Sequence, residues 1–328
     1  MQQDNTNAIA RETSTQRTTR ERVGLVVSGE DAQAAVGTIV AADTAGVQQI
    51  WMTQSTPAPD TLTTFAAAAV QTRNVRMGTA IIPTYPRHPL ALAQQVLALN
   101  DVAPNRLRLG IGPSHRPVIE GVYGIPLTKP MEHTREYVDI LRVLLWEGKI
   151  DHTGTFYTIK SSFPRTPRTP ILISALREGA YSLAGEVADG AISWVSPVQY
   201  LLDKALLALR AGAEKSQRPA PPLVAHIPVA MSQDRQAVLA AARKQIGRYG
   251  RLPFYASMFA EAGFPVSAEG AMSDDLIGNL VVSGSEADIA GRLIELLAAG
   301  LDEILVMSIG VADAVEEQTR LTHLIGQL

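Results

Sequence analysis

From Val23 onward, short runs rich in β-branched residues alternate with longer Ala/Leu-rich stretches whose apolar positions recur every three or four residues. A period near two that keeps switching to one near 3.6 marks strands alternating with helices, and hence βα units around a parallel sheet. Eight strands are predicted, over 23–27, 49–53, 75–82, 107–111, 171–175, 190–195, 224–230 and 303–309. Eight helices are predicted with them, over 31–45, 61–71, 90–99, 131–146, 180–188, 199–213, 234–249 and 286–299. Eight of each is the count of an α/β fold closed as a (β/α)8 TIM barrel. Gly46 and Gly300 each follow a helical run, where a residue free to take positive φ ends it, and Ser285 is placed to cap the run that starts at 286.

Three stretches rich in Gly, Pro and charge interrupt the alternation: 112–129 after strand four, 149–169 after helix four, and 252–279 before the last helix and strand. Long insertions after barrel strands build lids and substrate contacts, because the C-terminal rim carries the active site. The chain reads as a disordered leader over 1–21 and a single barrel domain over 22–328. The leader is Thr, Arg, Gln and Asn with almost no apolar content, which excludes a secretory signal, and its Asp4, Glu12 and Glu21 argue against an organelle transit peptide.

Composition narrows the chemistry. A hydrophobic fraction of 46% with only 5% aromatic residues predicts an aliphatic core. Lys+Arg 29 against Asp+Glu 32 leaves a net charge of -3 and no basic face for nucleic acid. No run of apolar residues is long enough to span a bilayer. The absence of cysteine excludes disulfides and thiolate chemistry and fits a reducing, cytoplasmic setting. His88, His133, His152, His226 and His323 have no paired metal spacing, so no metal site is expected. Gly110-Ile111-Gly112 lacks the third glycine and the acid of a dinucleotide fingerprint.

Several residues stand where barrel chemistry happens. Ala175-Leu176-Arg177-Glu178-Gly179-Ala180 hands strand five to a helix, and first-turn N–H groups there suit a phosphate. His115, behind Gly112 and Ser114 on the exit from strand four, is suited to moving a proton or orienting a substrate. Trp51 and Trp194, near the ends of strands two and six, either wall a substrate pocket or pack in the core. Strand three ends in small residues and then breaks on Pro83, Pro86 and Pro89.

The segment Met77-Gly78-Thr79-Ala80-Ile81-Ile82-Pro83, with Asn105 to His115, Pro170 to Leu176 and Leu183 to Gly190 following in order, resembles the luciferase-like monooxygenase superfamily over nearly all of 22–310. The resemblance implies a bulge at Thr79, Ala80 and Ile81, with a cis bond between Ala80 and Ile81, that backs a flavin or deazaflavin ring. It also implies cofactor contacts from Thr53, Gly112, Ser114, Ala175, Leu176, Arg177, Gly179 and Ala180. Gln54 stands where relatives touch the substrate side of the ring, which implies an orienting role. Trp51-Met52-Thr53-Gln54 and Pro83 to Pro89, with Gly110 to His115, are similar to a branch dependent on coenzyme F420. That branch implies a homodimer that transfers a hydride between the deazaflavin C5 and a small organic substrate. The alternatives are an FMN monooxygenase fed by a separate flavin reductase and a non-catalytic flavin-binding barrel. Arg177-Glu178-Gly179 replaces the family's Gly-Pro-Lys or Gly-Pro-Arg, which puts a carboxylate beside the expected phosphate.

Overall fold

The structure, a computed structural model, describes residues 17–56 and 58–328. Its strands are β1 (Val23–Val26), β2 (Gln49–Met52), β3 (Arg76–Thr79), β4 (Ile82–Pro83), β5 (Leu107–Gly112), β6 (Lys149–Thr153), β7 (Thr158–Ser162), β8 (Ile171–Ser174), β9 (Gly190–Ile192), β10 (Leu223–Ala230), β11 (Val282–Ser283) and β12 (Glu303–Ser308). Strands β1, β2, β3, β5, β8, β9, β10 and β12 pair in parallel in chain order, and β12 returns to β1, which closes the (β/α)8 barrel. Of the expected leader, 1–16 lie outside the described residues. Residues 17–21 do not follow the expectation of disorder: Thr18 caps a helical turn at Thr19–Arg22 through a capping box with Glu21.

The helix count holds with a change of membership. Arg235–Ile246 and Glu286–Ala298 both lie in the one connection between β10 and β12. The helix that completes the ring is Ala314–Gln327, after β12, which was not among the eight expected. The insertion at 149–169 is an antiparallel hairpin of β6 and β7. Glu136 fixes its tip by accepting from the N–H groups of Thr155, Phe156 and Tyr157, and His133 Nε2 bonds the Tyr157 hydroxyl at 2.9 Å while its ring stacks on Tyr85. Burial holds the His133 imidazole down at about 4 against the pull of Glu136. No helix among the described residues is long and apolar enough to cross a membrane.

The molecule has two cores. One fills the layer between sheet and helices. The other lies inside the barrel and gathers Trp51, Ala80, Leu172, Ile192, Val224 and Leu305. Below that inner core, Glu303, only 2% exposed, meets Arg108 through two bonds of 2.6 and 3.1 Å and Arg17 at 2.9 Å, with Gln49 beside them. Burial alone would raise the Glu303 carboxyl, but the two guanidinium groups outweigh it and hold it at about 2. The N-terminal end of the barrel is thus closed by a satisfied ionic layer.

Candidate functional site at the C-terminal rim

The site begins where β3 breaks. Its ladder to β5 stops at Gly78 paired with Arg108 and resumes only with Ile82 of β4 paired with Ile111. Between them the Ala80–Ile81 peptide is cis, at the position the resemblance implies. Thr79 bridges the gap: its hydroxyl donates to Gly110 O at 2.6 Å and accepts from Gly110 N–H at 2.8 Å. A side chain that is fully buried and engaged in both directions is a stitch in the sheet. Ala80 and Ile81 do face the barrel interior at its mouth, on top of the inner core. A Cβ on Gly112 would come 2.1 Å from Ser174 Oγ and 3.4 Å from Ile81 Cδ1, so this glycine serves the close approach of β5, β8 and the bulge.

Trp51 takes the second of its two expected places, in the core. It is 1% exposed and deep inside the barrel, with Arg108 over its ring at 5.0 Å. Glycines on both neighbouring strands make its space: a Cβ at Gly24 would lie 2.7 Å from its Nε1, and one at Gly78, its register partner, 2.2 Å from its Cε3. It fills the inner core. The Gln54 side-chain oxygen accepts from Thr61 N–H at 2.8 Å at the start of the Thr61–Ala69 helix. The Thr53 carbonyl beside it accepts from the Thr61 hydroxyl at 3.3 Å.

The turn after β8 leads into a helix whose first turn is open. Ala175 is buried against Ile192, Leu176 is half-buried, and Arg177 is the N-cap of the Glu178–Val187 helix, which receives no side-chain cap bond. By contrast Asp31, Asp60, His88, Asp234, Ser273, Ser285 and Asp313 all cap their helices. The carbonyl of Arg177 takes the Ala180 and Tyr181 N–H groups, whereas those of Glu178 and Gly179 have no acceptor among the described residues. Nothing lies within 4 Å of where a Gly179 Cβ would stand. Beside this opening the Tyr200 hydroxyl is buried without a partner among the described residues, and burial, with Glu261 and Glu178, pushes it up against the pull of Arg177. Arg177 itself pairs with Glu261, from the insertion helix Pro253–Glu261.

Across the mouth, His115 and Trp194 belong to one cluster. His115 follows Ser114, whose φ of 61° turns the chain, and its ring stands edge-on to Tyr249 at 6.2 Å and Tyr255 at 5.8 Å. Trp194 stacks on His226 at 3.7 Å and donates its Nε1–H to the Tyr249 hydroxyl at 2.8 Å. Burial, reinforced by the Arg248 cation, pushes the His115 imidazole below its ordinary value, so it is neutral at pH 7. Tyr249, Arg248, Tyr255 and His226 were not among the expected site residues. The one sequence signal for Tyr249 is its setting in Gly247-Arg248-Tyr249-Gly250, where a helical run gives way to an insertion. A separate cleft of about 540 Å³, lined in part by Val198, Leu202, Ile227 and Arg292, lies outside β10 and contains none of these residues.

A family model described as luciferase-like monooxygenase matches residues 12–303. An F420-dependent glucose-6-phosphate dehydrogenase from Beutenbergia cavernae is 32% identical over 179 residues, covering 52% of this chain and 53% of its own. Among solved structures, an F420-dependent secondary alcohol dehydrogenase in complex with an F420-acetone adduct aligns with a TM-score of 0.76 at 16% identity, covering 92% of this chain and 97% of that one. The FMN-bound oxygenating constituent of 3,6-diketocamphane monooxygenase from Pseudomonas putida aligns with a TM-score of 0.73 at 17% identity, covering 93% and 97%. With its closed barrel and a family match over most of its length, the chain belongs to the luciferase-like monooxygenase family.

Proposed function

We propose that this protein is a coenzyme F420-dependent oxidoreductase acting on a small organic substrate at the C-terminal rim. The observation that carries this reading is the uncapped helix after β8, open above Gly179, on the same rim as the Ala80–Ile81 bulge. A phosphate suits that turn because the N–H groups of Glu178 and Gly179 lack acceptors and the helix dipole favours an anion. The unpartnered Tyr200 hydroxyl adds a neutral donor. Ala80 and Ile81 would lie against the ring, and Arg177 would exchange Glu261 for the phosphate. The 32% identity to an F420-dependent dehydrogenase favours the deazaflavin over FMN.

When bound, F420 supplies or accepts a hydride at a ring carbon. The chain's own residues enclose that chemistry. The insertion helix Pro253–Glu261 places Tyr255 against His115 and Glu261 on Arg177, reaching across the mouth and limiting water. Burial and the Arg248 cation favour the neutral form of His115, which is fitted to accept a hydrogen bond or a proton. Fluorescence titration of the purified protein with F420 and with FMN tests the reading. Micromolar or tighter F420 binding is expected, with no oxygen uptake on turnover. Binding of neither cofactor contradicts the reading, and FMN-dependent oxygen consumption replaces it with a monooxygenase.

A further inference from the structure

The hydroxyl of Tyr249 sits at the barrel mouth in a 7% exposed residue and already accepts twice. Trp194 Nε1–H donates to it at 2.8 Å and Arg248 Nη2 at 3.3 Å, and the Arg248 guanidinium also lies 4.9 Å from the centre of its ring. A phenol oxygen has two acceptor positions and one proton. Both acceptor positions are taken, and the proton has no acceptor among the described residues. This is how a hydroxyl is prepared to give its proton away: the negative charge left on oxygen would fall between an N–H dipole and a cation.

The layer beneath holds this arrangement in place. Trp194 is fixed by its stack on His226, with the rings inclined by 22°. His226 Nδ1 accepts the Val195 N–H at 3.1 Å, which assigns the ring proton to Nε2, and Val195 takes a φ of 46° there. His226 Nε2 has no partner among the described residues, and burial keeps the imidazole neutral, down at about 3. The stack therefore adds no charge that would compete with Arg248 for the phenol oxygen. His115 faces the same phenol edge-on.

We infer that Tyr249 is the proton donor of the reaction and that the substrate is a carbonyl compound, or its alcohol in the reverse direction. This rests on the F420 reading above. In the reductive direction the carbonyl carbon takes the hydride supplied by the reduced deazaflavin, the C=O π pair moves onto oxygen, and that oxygen takes the Tyr249 proton. The deazaflavin leaves oxidised and the carbonyl leaves as an alcohol. The phenolate, held by the Trp194 N–H and Arg248, regains its proton from water.

The test uses the full chain with reduced F420 and a panel of ketones and aldehydes, including acetone, cyclohexanone and benzaldehyde, followed by the return of deazaflavin absorbance. At least one member should oxidise the cofactor. Tyr249→Phe should then lower kcat by about 100-fold or more while the F420 Kd stays within about threefold. A readout independent of turnover is the C=O infrared stretch of that carbonyl bound beside oxidised F420. It should lie at lower wavenumber in the wild type than in Tyr249→Phe. Should Tyr249→Phe not fold, Trp194→Phe removes one of the two donors, and kcat should fall about tenfold with the stretch moving the same way. Retention of kcat by Tyr249→Phe within about threefold, or an unchanged stretch, overturns the assignment. So does tight F420 binding with no carbonyl accepted. Failure to bind F420 instead overturns the cofactor reading and this inference with it.

Discussion

The two ends of the barrel are built from similar polar material and behave in opposite ways. At the N-terminal end, Glu303, Arg108, Arg17 and Gln49 satisfy one another in a buried layer. At the C-terminal end, the Glu178 and Gly179 N–H groups and the Tyr200 and Tyr249 hydroxyl protons have no acceptors among the described residues. A buried charge with all its partners fixes the fold and has no capacity left for a ligand. Donors without acceptors stabilise nothing by themselves and are available to one. Catalytic capacity in this fold is therefore to be sought where the hydrogen bonding is incomplete.

The comparison breaks most visibly at Glu303. Glu303→Gln leaves two guanidinium groups facing a neutral amide and should cost about 3–5 kcal/mol in urea unfolding. Cofactor affinity of the folded fraction should not change. If affinity falls with stability, the two ends are not independent. Gly78→Ala comes next: the new methyl would collide with Trp51, and overpacking of that kind costs about 1–3 kcal/mol, measurable as a lowered thermal midpoint.

Acid sharpens the same contrast with smaller steps. The folded His133 sits at about 4, below its ordinary 6.5, so the unfolded chain binds the extra proton first. Its contribution is fully present above 6.5 and is lost as pH falls from there through 4. The folded Glu303 sits at about 2, below its ordinary 4.5, so its contribution is present above 4.5 and is lost as pH falls through 2. Urea midpoints measured against pH should decline in those two windows. The upper decline should shrink in His133→Phe without vanishing, because His226, at about 3, and His115 are also held below 6.5, and the lower one should persist.

Much of the fold was legible because strand and helix periods are local. The eight barrel strands and the position of the cis bond fell where the pattern and the resemblance placed them. The hairpin of β6 and β7 was not legible as strands, since only Ile150 and Ile159 are buried in it and one apolar residue per strand leaves no alternation to see. The Ala314–Gln327 helix escaped because its buried apolar residues, Leu321 and Ile325, lie only in its second half. The candidate site was legible in part. His115, Trp194 and the Arg177 turn were read from their places at strand ends, whereas the choice between core and pocket for Trp51 stayed open because its space comes from glycines on two other strands. Tyr249 joins the site through contacts with Trp194, 55 residues away, and with His115, farther still in the chain, which no local pattern reports.

The open turn at Gly179 gives the most direct test of the central claim that the rim binds a phosphate-bearing deazaflavin. Gly179→Glu adds a carboxylate in the first turn of a helix, at a position with nothing within 4 Å of the new Cβ, where the dipole welcomes it and the fold should lose nothing. The same carboxylate would repel a bound phosphate. F420 fluorescence titration of the wild type and Gly179→Glu should show unchanged thermal stability and an affinity at least about tenfold weaker in the variant. Equal affinity in the two proteins would contradict the account.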